Sequence, residues 1–332
     1  MTSYLSNMRN VVSMKKLVSL LIPVFNEDLA TLEGLEIAIE ELRLHNSKYD
    51  FEVIIIDDST EIDTRTHTRQ FARRHDCTTV IYFSRNFGKE SALRAGMERA
   101  RGDAIIPLDA DLQDPFDMIP MMLERWEQGY SVVLAKRKSR KEDSYFKRIT
   151  SSVFYKIIGR LSEVSIPSNV GDFRLMDKAV VQSVLLLNER NIFMKGIYAW
   201  VGYPTCTLEY VRPKRQFGKT KFSFRRLLRI ALDGLVSFTS FPLRIWSSFG
   251  FLLAGISFLY SMYIIYMKVQ QQVPIQGYTS LVVILLFSTS LNLICFGIFG
   301  EYISRLFLES KARPHYIIQE IYSKKLDHGS QG

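Results

Sequence analysis

The chain has 332 residues, 47% of them hydrophobic, with 43 Lys and Arg against 34 Asp and Glu and a formal net charge of +9. Such a composition excludes a disordered chain and leaves room for one domain plus an appendage. The basic excess points to an anionic partner, whether nucleic acid, phosphorylated metabolite or membrane surface. Cys77, Cys206 and Cys295 form no CxxC or Cys/His cluster, which argues against a disulfide framework or structural zinc and fits a reducing compartment.

At the start, Lys15 and Lys16 stand before a short apolar run, as in a secretion signal. The run passes straight into Asn26, Glu27 and Asp28 without a small-residue cleavage site, so 17–24 is expected to be a buried strand and 1–16 an N-terminal tail. From there to about residue 136, apolar runs alternate with amphipathic stretches. LVSLLIPV (17–24), FEVIIID (51–57), TTVIYF (78–83), DAIIPL (103–108) and SVVLAK (131–136) are the expected strands, and 30–45, 62–75, 89–101 and 116–129 the expected helices. Continuous apolar strands separated by helices predict an α/β domain with a mainly parallel sheet covered on both faces. Ligands of such sheets sit outside the carboxyl ends of the strands. That edge gathers Pro23 to Glu27, Asp57, Asp58 and the acids from Asp109 to Asp114.

Beyond residue 137 the pattern changes. The charged stretch KRKSRKEDSYFKR (136–148) leads into a basic amphipathic helix with Phe146, Ile149, Val153 and Ile157 on one face. FSFRRLLRIALDGL (222–235) forms a second, with Phe224, Leu227, Leu228, Ala231 and Leu235 in a stripe and Arg225, Arg226 and Arg229 turned away. Residues 245–267 and 278–300 each contain an uncharged apolar run. Each run spans roughly 34 Å as a helix, enough for a bilayer core of about 30 Å. Two transmembrane helices are expected. Arg225, Arg226, Arg229 and Arg244 precede the first, Arg305, Lys311 and Arg313 follow the second, and Lys268 is the one basic residue between them. This asymmetry places the α/β domain and both termini in the cytoplasm.

The apolar run 105–108 ends in DADLQDP. In extended chain Asp109 and Asp111 face one crevice about 6.5–7 Å apart while Ala110 packs away. Two ionised groups so placed repel unless a cation or hydroxyl donors lie between them. A hard divalent metal shared with a diphosphate meets that need; a loop of solvated acids is the plainer alternative. Asp57 and Glu27 close neighbouring strands on the same edge, and Gly88 with Lys89 opens a helix where phosphate could be approached. Asp114 with Pro115 reads as a helix start. The stretch 212–229 carries Arg212, Lys214, Arg215, Lys219, Lys221, Arg225, Arg226 and Arg229 with no acid. Its loop half is expected to close over phosphates and its helical half to lie on anionic headgroups.

LIPVFNE, VIIIDDS, NFGKESALRAG, IIPLDADLQDP, VGDFRLMDKAVV and FGKTKFSF, in this order ahead of two apolar spans, resemble the inverting family 2 glycosyltransferases that load sugars onto polyprenyl phosphate. The resemblance covers roughly 17–322. It extends to dolichol-phosphate mannose synthases, while NERNIFMKGIYAWVG and GEYISR are most similar to the bactoprenol glucosyltransferases of O-antigen modification. It implies a GT-A-type, Rossmann-like domain over 17–210, a basic loop and juxtamembrane helix over 211–241, two transmembrane helices within 242–304 and a cytoplasmic tail from 305 to 332.

The implied activity is a metal-dependent hexosyltransferase of a bacterial inner membrane, moving glucose from UDP-glucose to undecaprenyl phosphate with Mg²⁺ or Mn²⁺. Transfer of GlcNAc, mannose from GDP-mannose or an aminoarabinose derivative is the alternative. By resemblance, Asp109 serves the nucleotide-sugar, Asp111 and Gln113 the metal, and Asp57 with Pro23, Phe25 and Glu27 the nucleoside. Lys89 joins the donor contacts. Asp172 stands by the reacting centre with Asp111, Arg174 holds the acceptor, and Arg212, Arg215, Lys219 and Lys221 hold phosphate. Membrane lipids, a flippase and a downstream glycosyltransferase are the implied partners; the small residues Gly250, Ala254, Gly255, Gly297 and Gly300 would permit the close helix packing of a homo-oligomer, but ordinary spans contain them too.

Three rivals stand against this. A processive polysaccharide synthase predicts a QxxRW motif and further spans, and the tryptophans at 126, 200 and 246 supply no such motif. A membrane-tethered module that binds nucleotide-sugars without turnover predicts lost acids, whereas those at 109, 111 and 172 are intact. Nucleic-acid binding predicts a basic groove interleaved with aromatics, whereas the cations here border the apolar spans.

Overall fold

The computed structural model describes residues 15–138, 170–187, 189, 194–210 and 277–324, with scattered positions from 252 to 270. The chain falls into two compact units, the first taking in the described residues up to 138, 170–210 and 314–324, and the second the described residues from 252 to 313.

In the first unit β1 (Lys16–Val24), β2 (Tyr49–Asp57), β3 (Thr78–Phe83), β4 (Ala104–Pro107) and β5 (Val132–Arg137) alternate with α1 (Leu29–His45), α2 (Ile62–Arg74), α3 (Lys89–Arg99) and α4 (Ile119–Glu127). All nine lie where the apolar runs and amphipathic stretches predicted them. A 3₁₀ turn at Phe116–Met118 replaces the first turn of the expected helix 116–129. Further on come β6 (Val170–Asp177), α5 (Lys178–Leu186), α6 (Met194–Trp200), β7 (Thr205–Tyr210) and, past the second unit, β8 (Ile318–Ser323).

The eight strands form one mixed sheet in the order β7-β5-β6-β4-β1-β2-β3-β8. β1 pairs in parallel with β2 and β4, and β2 with β3. Each middle strand is buried on both faces, which is why its sequence is continuously apolar. Leu20, Ile22 and Val24 pack with Leu35, Ile39 and Phe71 on one side, while Leu21 packs with Leu93 and Met97 on the other. At about 1.5–3 kcal/mol for each large side chain removed from water, these two layers hold the sheet.

Two strands position the site. β6 inserts antiparallel between β4 and β5, pairing Ala104 with Asp177 and Ile105 with Met176. β6 carries Asp172, whose Oδ2 meets the same ammonium, Lys89 Nζ, as Asp109 Oδ1 just past β4. β8 closes the far edge by pairing antiparallel with β3. Arg69 bonds Glu320 at 2.7 Å, Arg65 donates to Gln319 at 2.9 Å, and Tyr316 stacks on Phe83 with ring centres 5.0 Å apart. The region 305–332, expected as a tail, therefore contributes an edge strand to the sheet.

In the second unit α7 (Tyr278–Ser310) has 33 residues, about 50 Å of helix. Among the described residues it is one helix long and apolar enough to cross a membrane, the apolar stretch being Phe287–Ser310. Leu281, Leu285, Leu293, Phe296, Phe299 and Leu306 are exposed on it, and Thr289 returns its hydroxyl to Leu285 O at 2.8 Å. Of the other expected span, 245–267, most lies outside the described residues. The described positions there, Leu252, Ile256, Leu259 and Tyr263 among them, are helical and exposed.

Candidate active site

The carboxyl ends of β1 and β2 make one wall. Val24 pairs with Asp57, so the 23–27 turn lies beside the β2 terminus. Asn26 takes φ 51°, a conformation asparagine tolerates better than most residues. Its N–H donates to Ser59 Oγ at 2.8 Å and its side-chain amide to Glu61 at 2.9 Å. This leaves the Phe25 ring 41% exposed at the rim, with Pro23 and Glu27 half-buried.

Asp57, expected on the nucleoside, turns inward. It is fully buried, and its two oxygens accept from the Ser59 N–H at 2.9 Å and the Thr68 hydroxyl at 2.8 Å. Its carboxylate fixes the strand end through these two bonds. The adjacent Asp58, not singled out from sequence, accepts from the N–H groups of Phe87 at 2.6 Å and Gly88 at 2.7 Å. Burial pushes its carboxyl above the ordinary value, and the two amides pull the other way. They hold Gly88 at φ +89°, where a Cβ would meet no neighbour but the backbone itself demands glycine.

Lys89 begins α3 directly after that anchor. Its Nζ lies 2.5 Å from Asp109 Oδ1 and 2.6 Å from Asp172 Oδ2. Two carboxylates whose oxygens both reach one atom are close enough to repel strongly when ionised; the ammonium removes that repulsion. Burial opposes the lysine charge, but the two carboxylates outweigh it and hold the ammonium above its ordinary pKa.

Asp111 and Asp109 are half-buried while Ala110 is buried, the alternation that the sequence predicts. Asp111 Oδ1 accepts from the Gln113 N–H at 3.3 Å, so the two expected metal ligands share one tight turn. Between them Leu112 takes φ 56° and packs so close to α1 that a Cβ on Gly34 would lie 2.7 Å from its Cδ1. Asp114 does not start a helix. It is buried, its Oδ2 accepts from the Asp109 N–H at 3.0 Å, and Pro115 rather than Asp114 precedes the 3₁₀ turn. The nearer backbone donor has captured the cap.

Comparison with known proteins agrees with this geometry. The sequence model of the glycosyl transferase family 2 matches residues 19–185, and that of the GtrB C-terminal hairpin matches 241–306. The chain belongs to glycosyl transferase family 2. It is 44% identical to the bactoprenol glucosyl transferase of Shigella phage SfV over 304 residues, 91% of this chain and 98% of that protein. It is 42% identical to the prophage bactoprenol glucosyl transferase homolog of Escherichia coli K12, over 92% of this chain and 99% of the other. Among solved structures, a mannosyltransferase of Pyrobaculum calidifontis is 18% identical with a TM-score of 0.43, over 78% of this chain and 85% of that one.

Deeper in this glycosyltransferase site, Arg174 shares the Asp172 face of β6. It is buried, and Nη2 donates to Gly171 O at 2.7 Å while Nε meets no hydrogen-bond partner among the described residues. Its guanidinium lies 4.1 Å from the ring centre of Tyr198 on α6. The Tyr198 hydroxyl is likewise buried without a hydrogen-bond partner among the described residues. Burial lowers the Arg174 pKa and raises that of Tyr198. Tyr198 lies within a quoted motif, but neither periodicity nor charge marks it as a site residue. Only the fold brings α6 against β6.

Asp109, Asp111, Asp172 and Gln113 offer hard oxygen donors of the kind Mg²⁺ or Mn²⁺ prefers. Asp109 and Asp172 already converge on a cationic atom, so the residues fit a divalent ion. Arg212, Arg215, Lys219 and Lys221 lie outside the described residues, as do the expected amphipathic helices 146–160 and 222–235.

Proposed function

We propose that this glycosyltransferase moves glucose from UDP-glucose to a polyprenyl phosphate such as undecaprenyl phosphate at the cytoplasmic face of a bacterial membrane. Donor and acceptor follow from the relatives, which are named bactoprenol glucosyl transferases. The observation that carries the chemistry is the convergence of Asp109 and Asp172, from two strands, on one cation at the ligand edge of the sheet. The exposed apolar surface of α7 supports a membrane location, and the basic residues flanking both apolar segments support a two-span hairpin with cytoplasmic ends.

In this reading the 23–27 turn, with Phe25 exposed, takes the nucleoside, Asp109 the sugar, and Asp111 with Gln113 a divalent ion. That ion would supply charge neutralisation on the leaving diphosphate. The lipid phosphate oxygen attacks the anomeric carbon, the bond from that carbon to the diphosphate oxygen breaks, and configuration inverts. A phosphate monoester is largely ionised near neutrality, its second pKa being about 6. Asp172 therefore orients the attack rather than removing a proton. Arg174 lies behind it as a positive group facing the incoming phosphate, and the cations of 212–221 complete the phosphate contacts.

Purified full-length protein with undecaprenyl phosphate, Mg²⁺ or Mn²⁺ and a panel of nucleotide-sugars tests this. Lipid-linked glucose from UDP-glucose is expected, and Asp111→Asn is expected to abolish it. Product from GDP-mannose or UDP-GlcNAc instead would reassign the donor, and no product from any donor would favour the tethered binding module.

A further inference from the structure

We propose that Lys89 is a resident counter-cation that makes divalent-metal loading of the crevice depend on the arriving nucleotide. The inference rests on the reading that a metal-bound diphosphate occupies this crevice, and it assigns Lys89 a task in the empty enzyme as well as the loaded one. Asp109, Asp111 and Asp172 bring three negative charges to one edge. Two of them already close on Lys89 Nζ at 2.5 and 2.6 Å. Arg174 is a further cation near Asp172, buried beside Tyr198 and Glu90.

The anchoring makes the lysine suited to this. Its backbone follows Gly88, whose N–H and that of Phe87 are pinned by Asp58 at 2.7 and 2.6 Å. The four-carbon stem remains free to swing, because an ammonium has no fixed fork geometry to satisfy. A free divalent ion entering the empty crevice competes with an ammonium already in place. A nucleotide diphosphate changes the balance by offering the ammonium new anionic oxygens, so that it leaves the carboxylates as the ion arrives. Lysine and metal then occupy the acidic edge in turn, and the empty enzyme neither collapses by repulsion nor fills with metal alone.

The test is Mn²⁺ titration of the purified full chain in detergent, with and without UDP. The wild type is expected to bind Mn²⁺ weakly alone and tightly with UDP. Lys89→Met is expected to bind Mn²⁺ alone roughly tenfold more tightly than the wild type, equivalent to about 1.4 kcal/mol, and Mn²⁺ alone should raise its melting temperature. Lys89→Arg, which keeps the charge, should bind Mn²⁺ alone as weakly as the wild type. If Lys89→Met does not fold, Lys89→Gln carries the same expectation. Should these variants gain no affinity for Mn²⁺ alone while the wild type still binds Mn²⁺ with UDP, the counter-cation role is overturned and the proposed function survives. A wild type that binds Mn²⁺ neither alone nor with UDP removes both.

Discussion

At the end of β2, and where β4 faces β6, the chain sets carboxylates close together, and it gives them different kinds of partner. Asp57 and Asp58 are met by backbone N–H groups and one hydroxyl. Asp109 and Asp172 are met by one ammonium on a long stem. Backbone donors cannot leave without unfolding the loop that carries them, whereas an ammonium can be exchanged for another cation. Adjacent acids on one sheet edge thus divide into scaffold and site according to what neutralises them, and burial follows the same division. Asp57 and Asp58 are closed off from solvent, while Asp109 stays about a third exposed.

The sharpest way to break this comparison is to neutralise one acid from each group. Asp172→Asn keeps shape and removes charge at the reacting centre, so transfer should fall by about 10²–10³ with little change in melting temperature. Asp58→Ala should do the reverse in kind. It strands two N–H groups in a half-buried loop and should lower stability by about 1–3 kcal/mol, measured by denaturant unfolding, with activity falling only as the Gly88 loop loosens. If Asp172→Asn unfolds the protein, or Asp58→Ala leaves stability untouched, the division between scaffold and site is wrong.

The same division explains what was legible in the sequence. β1, β2 and β3 were readable because burial on both faces demands unbroken apolar runs, and Asp109 with Asp111 because an acid pair at such a terminus is conspicuous. β6 escaped as a strand because VGDFRLMD places Asp172 and Arg174 on the face that builds the site, which masks the apolar alternation of Phe173 and Leu175. β8 escaped because IQEIYS is half-exposed at an edge and its place depends on the chain returning from the second unit to β3. Asp114 was expected as a helix cap, a role that the nearer Asp109 N–H pre-empted, and the bonds of Asp57 to the Ser59 N–H and Thr68 hydroxyl were likewise not legible. Local pattern shows which residues reach the edge, and only tertiary contact shows which donor gets there first.

A smaller effect sharpens the comparison at Tyr198. Its hydroxyl is buried without a partner among the described residues, an arrangement that costs about 1–3 kcal/mol, while its ring supports the Arg174 guanidinium. Tyr198→Phe keeps the stack and deletes the orphaned hydroxyl. Stability should rise by about 1 kcal/mol and transfer should stay near the wild-type rate. A large loss of transfer in Tyr198→Phe, with folding intact, would move the hydroxyl from scaffold to site.

The smallest expected effect concerns Asp28, the exposed counterpart of Asp58. It too accepts a backbone N–H, from Thr31 at 2.9 Å, as the cap of α1, but in water, where such a bond is worth less. Asp28→Ala should cost about 0.5–1 kcal/mol at neutral pH, the lower part of the range for helix caps. The two acids should also differ in the sign of their pH dependence. The Thr31 hydrogen bonds hold the Asp28 carboxyl below its ordinary 3.8, so the unfolded chain takes up protons first. Its contribution is full above that value and is lost as the pH falls through the lowered one. Asp58 is held above 3.8 by burial, so between 3.8 and its raised value the folded state carries the extra proton. Within that window stability declines as the pH rises. Denaturant unfolding of Asp28→Ala and the wild type should therefore converge at strongly acidic pH, whereas the pH slope assigned to Asp58 should vanish in Asp58→Asn.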